Sequence, residues 1–246
     1  MKLKYVVTLV LFVTVSSSSL TAQNKTKNFI GISSGLSVPL GVFSKTDVGV
    51  FGNWNNKTGF AKTGFTIGVE GAYYVLPKIG IGGVLNFSDH GILSKRDAQK
   101  LGDSYTDAFA VNYTTVYTSK RYQNINLLIG PYFSFPFHKI TIDLRAMGGL
   151  IKSTSTPEIS VQLEDDPTNV FIQKSSTAFA IGGQLGLGCR YALSDKIALS
   201  LRGDCFHTGG IKVKNENRSN NAGRLVTKQE MTWINASLGI AYSFGK

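Results

Sequence analysis

Beyond its first 22 positions the 246-residue chain has no uninterrupted apolar run approaching 18 residues, which excludes a membrane-spanning helix there. Cysteine is nearly absent: the two residues, Cys189 and Cys205, cannot build a disulfide framework. The three histidines, His90, His138 and His207, stand in no spacing with cysteines or carboxylates that would hold a metal, so no metal site is expected. Gly80-Ile81-Gly82-Gly83 reads as strand filling and not as a phosphate loop, and no other cofactor motif occurs, so no cofactor is expected. Acidic residues are scarce, 15 against 26 Lys and Arg, giving a formal charge of +11. The basic residues are not interleaved with aromatics and follow no recognition-helix pattern, which argues against nucleic acid.

The start of the chain carries a destination. Lys2 and Lys4 precede an apolar stretch at 5–15 and a small, polar tail ending at Ala22. That order reads as a secretory signal peptide over 1–22, and the stretch is too short to span a bilayer as a helix. Cleavage after Ala22 leaves 224 residues, 23–246, enough for one domain, with a charge of about +9 after loss of the two lysines. A basic exported protein meets anionic lipid head groups, including lipopolysaccharide, more readily than nucleic acid.

What is abundant is alternation. In 179–191 the odd positions are mostly large and apolar, and the even ones are Gly, Ala, Gln or Arg; 197–206 repeats the rule. Period two means strand, with one face in an apolar medium and the other in a polar one. The polar face is the cramped one, glycines beside full charges, which suits a narrow membrane barrel with its apolar face to lipid. Eight segments obey the pattern: 29–36, 64–75, 79–88, 122–133, 140–151, 179–191, 197–206 and 231–244. The connections alternate between three short turns, at 76–78, 135–139 and 194–196, and four long loops, at 37–63, 89–121, 152–176 and 208–230. The predicted fold is therefore all-β: an eight-stranded antiparallel up-and-down transmembrane β-barrel with short periplasmic turns and long extracellular loops. A soluble sandwich would leave the loop alternation unexplained.

Aromatic belts are expected at both lipid interfaces: Tyr73, Tyr132, Phe133, Phe135, Tyr191, Tyr242 and Phe244 on the short-turn rim, and Phe65, Phe87, Phe206 and Trp233 on the other. A loop at 194–196 pairs Cys189 with Leu201 and Leu185 with Cys205. The two cysteines then stand four residues out of step, roughly 13 Å apart along the strand, too far for a disulfide. Two free, lipid-facing thiols are expected.

The inward positions hold six charges: Glu70, Asp143 and Asp204 with Arg145, Arg190 and Arg202. Eight strands leave an interior that side chains can fill, so these six are expected to form an ion-pair network. Inward Gly68, Gly80, Gly182, Gly186 and Gly188 would make room for the arginines. A gated solute path or a catalytic carboxylate pair is the sharper alternative. The last long loop is basic, with Lys212, Lys214, Arg218, Arg224 and Lys228 as candidates for contact with lipopolysaccharide or an envelope partner. Its Asn-rich run 215–221 suggests a loop tip. Residues 108–117 look like β structure, so the fourth strand is expected to extend past the membrane. His138 is expected solvated in its turn. His207-Thr208-Gly209 faintly suggests a lipid A deacylase, but glycine stands where its serine would be, and a nucleophile without a base in reach is inert.

The leader ending Thr21-Ala22-Gln23, the first strand Gly31-Ile32-Ser33-Ser34-Gly35-Leu36 running into Ser37-Val38-Pro39-Leu40-Gly41, and the close Leu238-Gly239-Ile240-Ala241-Tyr242-Ser243-Phe244 together resemble the PorT-like outer-membrane β-barrel family of Bacteroidota-type envelopes. The closing alternation of Ile240, Tyr242 and Phe244 is similar to the signal that barrel assembly machinery reads, though two residues follow Phe244. The resemblance implies the fold, an outer-membrane location and a link to protein secretion. The expectation is a monomeric, non-enzymatic envelope structural or interaction protein; the alternatives are a lipid A-modifying enzyme and a small-solute channel.

Overall fold

The computed structural model describes residues 26–46, 49–50, 53–54, 57–217 and 224–245; the expected signal peptide and Arg218 lie outside them. Eight strands form the barrel: β1 (Asn28–Pro39), β2 (Gly64–Tyr74), β3 (Ile79–Asp89), β5 (Gln123–Phe137), β6 (Ile140–Ser155), β9 (Phe179–Ala192), β10 (Ile197–Asn217) and β11 (Arg224–Phe244). Between them lie a two-residue antiparallel pair (Gly49–Val50 with Asn53–Trp54), the helix α1 (Lys95–Phe109) and the short strands β4 (Thr114–Ser119), β7 (Glu158–Leu163) and β8 (Val170–Gln173). Each barrel strand pairs antiparallel with its neighbours, and β1 pairs with β11 from Asn28↔Phe244 to Pro39↔Trp233, closing an eight-stranded ring without a free edge.

Alternation decides what each face meets. Ile181 is 80% exposed, Leu185 68% and Ile32 62%, and the same outward face carries Ile67, Ile81, Leu127, Ile129, Leu238 and Ile240. A contiguous apolar band around the whole barrel far exceeds what a soluble monomer exposes, and hydrocarbon is the medium it fits. No helix among the described residues is long and apolar enough to cross a membrane; this bears only on helices. The turn register agrees with the sequence: Cys189 pairs with Leu201 and Leu185 with Cys205. Both thiols are free, and both stand at outward positions.

Three of the expected belt residues point the other way. Tyr132, Phe206 and Trp233 are fully buried inside the barrel. Parity explains them: Cys205 and Ile234 face lipid, so their neighbours Phe206 and Trp233 must face inward. There the two rings stack at 4.8 Å.

The long-loop end is folded. Past a bulge between Thr208 and Ile211, where Gly210 takes a φ of 105° that favours glycine, β10 and β11 continue as a hairpin to Glu216↔Arg224. That corrects the expected loop at 208–230. β10 pairs with β8, β8 with β7 and β7 with β4, so a sheet stands beyond the ring. α1 packs on it through Leu101, which joins Phe60, Leu93, Ile159, Val161 and Leu163 in a second hydrophobic core. Residues 108–117 are thus divided: Ala108 and Phe109 end the helix, and only from Thr114 does the chain become strand. Ser94 caps α1, accepting from the Asp97 N–H at 3.1 Å while its hydroxyl donates to the Asp97 carboxylate at 2.6 Å.

Candidate functional site

The lumen is filled in layers. Nearest the short turns, Arg190 on β9 grips Asp143 on β6 through two nitrogens, at 2.6 and 2.9 Å. Ser134 donates to the same carboxylate, the Tyr74 hydroxyl lies 3.1 Å from the guanidinium, and the Phe29 ring lies 3.9 Å beneath it. A planar fork on a carboxylate with an aromatic floor is an arrangement arginine supplies and lysine does not.

One layer up, Arg145 donates to Asp204 from Nε at 2.9 Å and Nη2 at 2.6 Å, and reaches Glu70 from Nη1 at 3.3 Å. Glu70 also pairs with Arg202, and Gln184 donates to Asp204 at 2.7 Å. All six charges are thus brought together in two groups, each residue less than 10% exposed. Of the five glycines expected to make room, Gly186 is the critical one: a Cβ there would stand 2.1 Å from Asp204 Oδ1 and 2.5 Å from Arg145 Nε. Gly188 also lies against arginines, whereas Gly68 faces Asn86, Gly80 the Tyr73 backbone and Gly182 the Ile151 side chain. None of those three has a side chain of the network among its nearest neighbours.

Above the charges comes a neutral polar layer. Asn124 donates to Asn126 at 3.0 Å and Asn126 to Asn86; Ser37 donates to Asn235 at 2.6 Å and Asn235 to Thr66 at 3.3 Å. A cavity of about 20 Å³ lies between this layer and the ions, lined by Asn86, Asn235, Glu70, Gln184 and Arg202 among others. That is room for about one water, against the roughly 300–1,000 Å³ of a ligand pocket.

An aromatic stopper closes the mouth. Phe43, from the β1–β2 connection, meets Tyr122 at 4.8 Å and His90 at 5.0 Å, and His90 meets Trp233 at 5.8 Å. His90 is fully buried, and burial holds its imidazole down at about 4 although Asp89 beside it works the other way. Asp89 is itself engaged outside the stopper, accepting from Arg121 Nε at 2.8 Å and Nη2 at 2.9 Å.

Compared with solved structures, the chain is similar to the Neisserial surface protein NspA (TM-score 0.43, 11% identity, 90% of this chain and 100% of that one). It is similar also to Ail, the attachment invasion locus protein of Yersinia pestis (0.44, 9%, 90% and 100%). A third is the outer membrane protease OmpT from Escherichia coli (0.43, 11%, 93% and 100%). No protein-family model matches the sequence, and a search of curated proteins returns no match.

The basic candidates divide. Lys212 and Lys214 on β10 and Lys228 on β11 are exposed on the continued hairpin, with Lys212 directly opposite Lys228. Arg224 opens β11, and Arg218 lies outside the described residues. His207 is exposed on the outward face near the rim, its Nδ1 2.9 Å from the Thr232 hydroxyl on the neighbouring strand. His138 sits at the two-residue turn between β5 and β6 with a φ of 56°. Gln184, Tyr74 and Ser134 as partners of the ions, the aromatic stopper, and α1 go beyond the sequence expectations. The helix had left a signal: Ser94-x-x-Asp97 followed by Ala98, Leu101, Tyr105 and Ala108 at helical spacing.

Proposed function

We propose that the chain is an outer-membrane β-barrel serving as a non-enzymatic envelope interaction protein, anchored by the ring and making its contacts through the folded cap. The observation that carries this reading is the cap itself, a helix on a sheet with its own hydrophobic core standing beyond the ring. Loops that only close a barrel need no core, whereas a rigid surface presented to a partner does. The filled lumen supports an anchoring role over a solute path, and single-channel conductance in planar bilayers is the test of that alternative. The PorT-like pattern of the first and last strands is the ground for a link to protein secretion.

Photo-crosslinking in intact outer membranes tests the reading, with the reactive residue placed at Tyr117 in the cap or at Lys196 in a short turn. A stoichiometric envelope protein captured from Tyr117 supports a contact role for the cap. Capture from Lys196 alone moves the contact to the other side, and recovery of the barrel with lipid only counts against any protein partner.

A second reading, a lipid A-modifying enzyme, has one specific observation in its favour, the His207–Thr232 pair on the outward face. An imidazole and a hydroxyl within hydrogen-bond reach are the first requirement of a nucleophilic site. Reconstituted protein that shortens lipid A, and ceases to as His207→Ala, would establish it.

A further inference from the structure

One flank of the barrel, formed by β6, β9, β10 and β11, carries two features on its outward face. Near mid-membrane it holds an apolar groove of about 580 Å³, lined by Leu144, Leu185, Leu187, Gly203, Cys205 and Ile234 among others. Gly203 makes its floor: a Cβ at that position would meet nothing within 4 Å. Further up the same strands comes a lysine cluster. β11 carries its outward parity unbroken from Ile234 through Lys228, and the bulge at 208–211 resets β10 so that Lys212 and Lys214 share that face. Lys152 on β6 is exposed, its ammonium 5.2 Å from the centre of the Phe179 ring.

Lys212 and Lys228 are directly opposite, a juxtaposition that works against the hairpin unless an anion neutralises it. Among the described residues neither they nor Lys214 form an ion pair, whereas nearby Lys174 is matched by Glu216 at 2.8 Å. Gly203 and Lys212 stand nine residues apart on β10, on the order of 20 Å along the membrane normal after strand tilt. That is about the reach from a head group into the middle of a bilayer with a core roughly 30 Å thick.

We propose that this flank is a binding site for a phosphorylated, acylated lipid of the lipid A type. Its phosphates sit on Lys212, Lys214 and Lys228, and one acyl chain lies in the groove over Gly203. The proposal rests on the outer-membrane reading above and adds the ligand class and the side of the barrel. Neutral lipid would use the groove and ignore the lysines. A soluble polyanion would do the reverse.

The test is native mass spectrometry of the detergent-folded barrel with bis-phosphorylated lipid A as probe, beside the same lipid stripped of its phosphates. Two variants separate the halves of the site: Lys212→Gln with Lys214→Gln and Lys228→Gln, and Gly203→Leu, which fills the groove without touching a charge. Heat-modifiable gel migration verifies that each has folded. Wild type should retain lipid A over the dephosphorylated form, and the triple variant should lose about tenfold or more in affinity. Gly203→Leu should also weaken retention with its lysines intact. Equal retention of both lipids, or variants that bind as wild type does, would overturn the site. So would a Gly203→Leu variant that changes oligomeric state while lipid binding is untouched, because the groove would then belong to a second copy. Insertion into dimyristoyl phosphatidylcholine vesicles is scored separately: failure there removes the membrane reading itself, whereas an inserted barrel that ignores lipid A removes only this proposal.

Discussion

Arg202→Met, made alone and together with Glu70→Gln, probes whether the lumen charges act as a network. Glu70 is 4% exposed and has two cations, Arg202 and Arg145, while Arg145 is shared with Asp204. Taking Arg202 away leaves a buried carboxylate with half of its compensation, and breaking such a pair costs about 3–5 kcal/mol. Glu70→Gln alone strands Arg202, whose other contact is the Ser33 hydroxyl at 3.5 Å, and should cost a similar amount. The double variant removes both charges and leaves Arg145 on Asp204, so it should be less destabilised than the sum of the singles by about 2 kcal/mol or more. Urea unfolding in phospholipid vesicles, followed by the fluorescence of the two tryptophans, supplies all four corners of the cycle. Trp233 is buried in the mouth and should report loss of the barrel directly. Single variants that add within about 0.5 kcal/mol would refute the coupling and reduce the six charges to independent residents of the lumen.

Three further outcomes follow from other layers. His90 is held at about 4 against an ordinary 6.5, so the unfolded chain takes up the proton first as pH falls; stability should decline between pH 6.5 and 4 by about 3 kcal/mol and level off below, and the wild type minus His90→Phe difference in urea midpoints should trace that curve. Gly186→Ala pushes a methyl into the Asp204–Arg145 contact and should destabilise the barrel by about 1–3 kcal/mol, whereas Gly203→Ala on the outward face should be nearly silent in the same assay. Leu101→Ala empties part of the cap core at a cost of about 2–5 kcal/mol to that unit; limited proteolysis should open the α1–β4 region while the barrel keeps its heat-modifiable migration.

The ring was legible because each of its strands states one fact at every residue, which medium the side chain meets. Period two gave the eight spans, and the parity of the 193–197 turn gave the pairing of Cys189 with Leu201 and of Leu185 with Cys205. The same parity, applied through to the end, would have turned Phe206 and Trp233 inward. The expectation of a belt rests on aromatics near strand ends suiting a lipid interface, a preference of residue type that strand parity overrides. The charges Glu70, Asp143, Arg145, Arg190, Arg202 and Asp204 could be assigned to the lumen by the same rule, but not to partners. Which arginine meets which carboxylate depends on the stagger around the ring, and nothing in a single strand encodes it. The cap was hardest to see. Its strands are only four to six residues long, and they gain stability from pairing with a continued hairpin whose lysines and asparagines read as loop. The pairing is long-range, Phe171↔Asn217 and Val116↔Val161, so no local pattern announces it.

The claim most open to direct test is that the outward face lies in lipid up to the β10 bulge and in water past it. A nitroxide scan along β10 from Ile197 to Lys214, in a Cys189→Ser, Cys205→Ser background in phospholipid vesicles, reads oxygen against a water-soluble nickel chelate at each site. The account predicts oxygen-dominated accessibility at odd positions to His207, low accessibility to both reagents at even ones, and a switch past Gly210 to nickel-accessible Lys212 and Lys214. Nickel accessibility at Leu199, Leu201 and Cys205 equal to that at Lys212 would contradict it, because that face would then be in water and the barrel would not span a membrane.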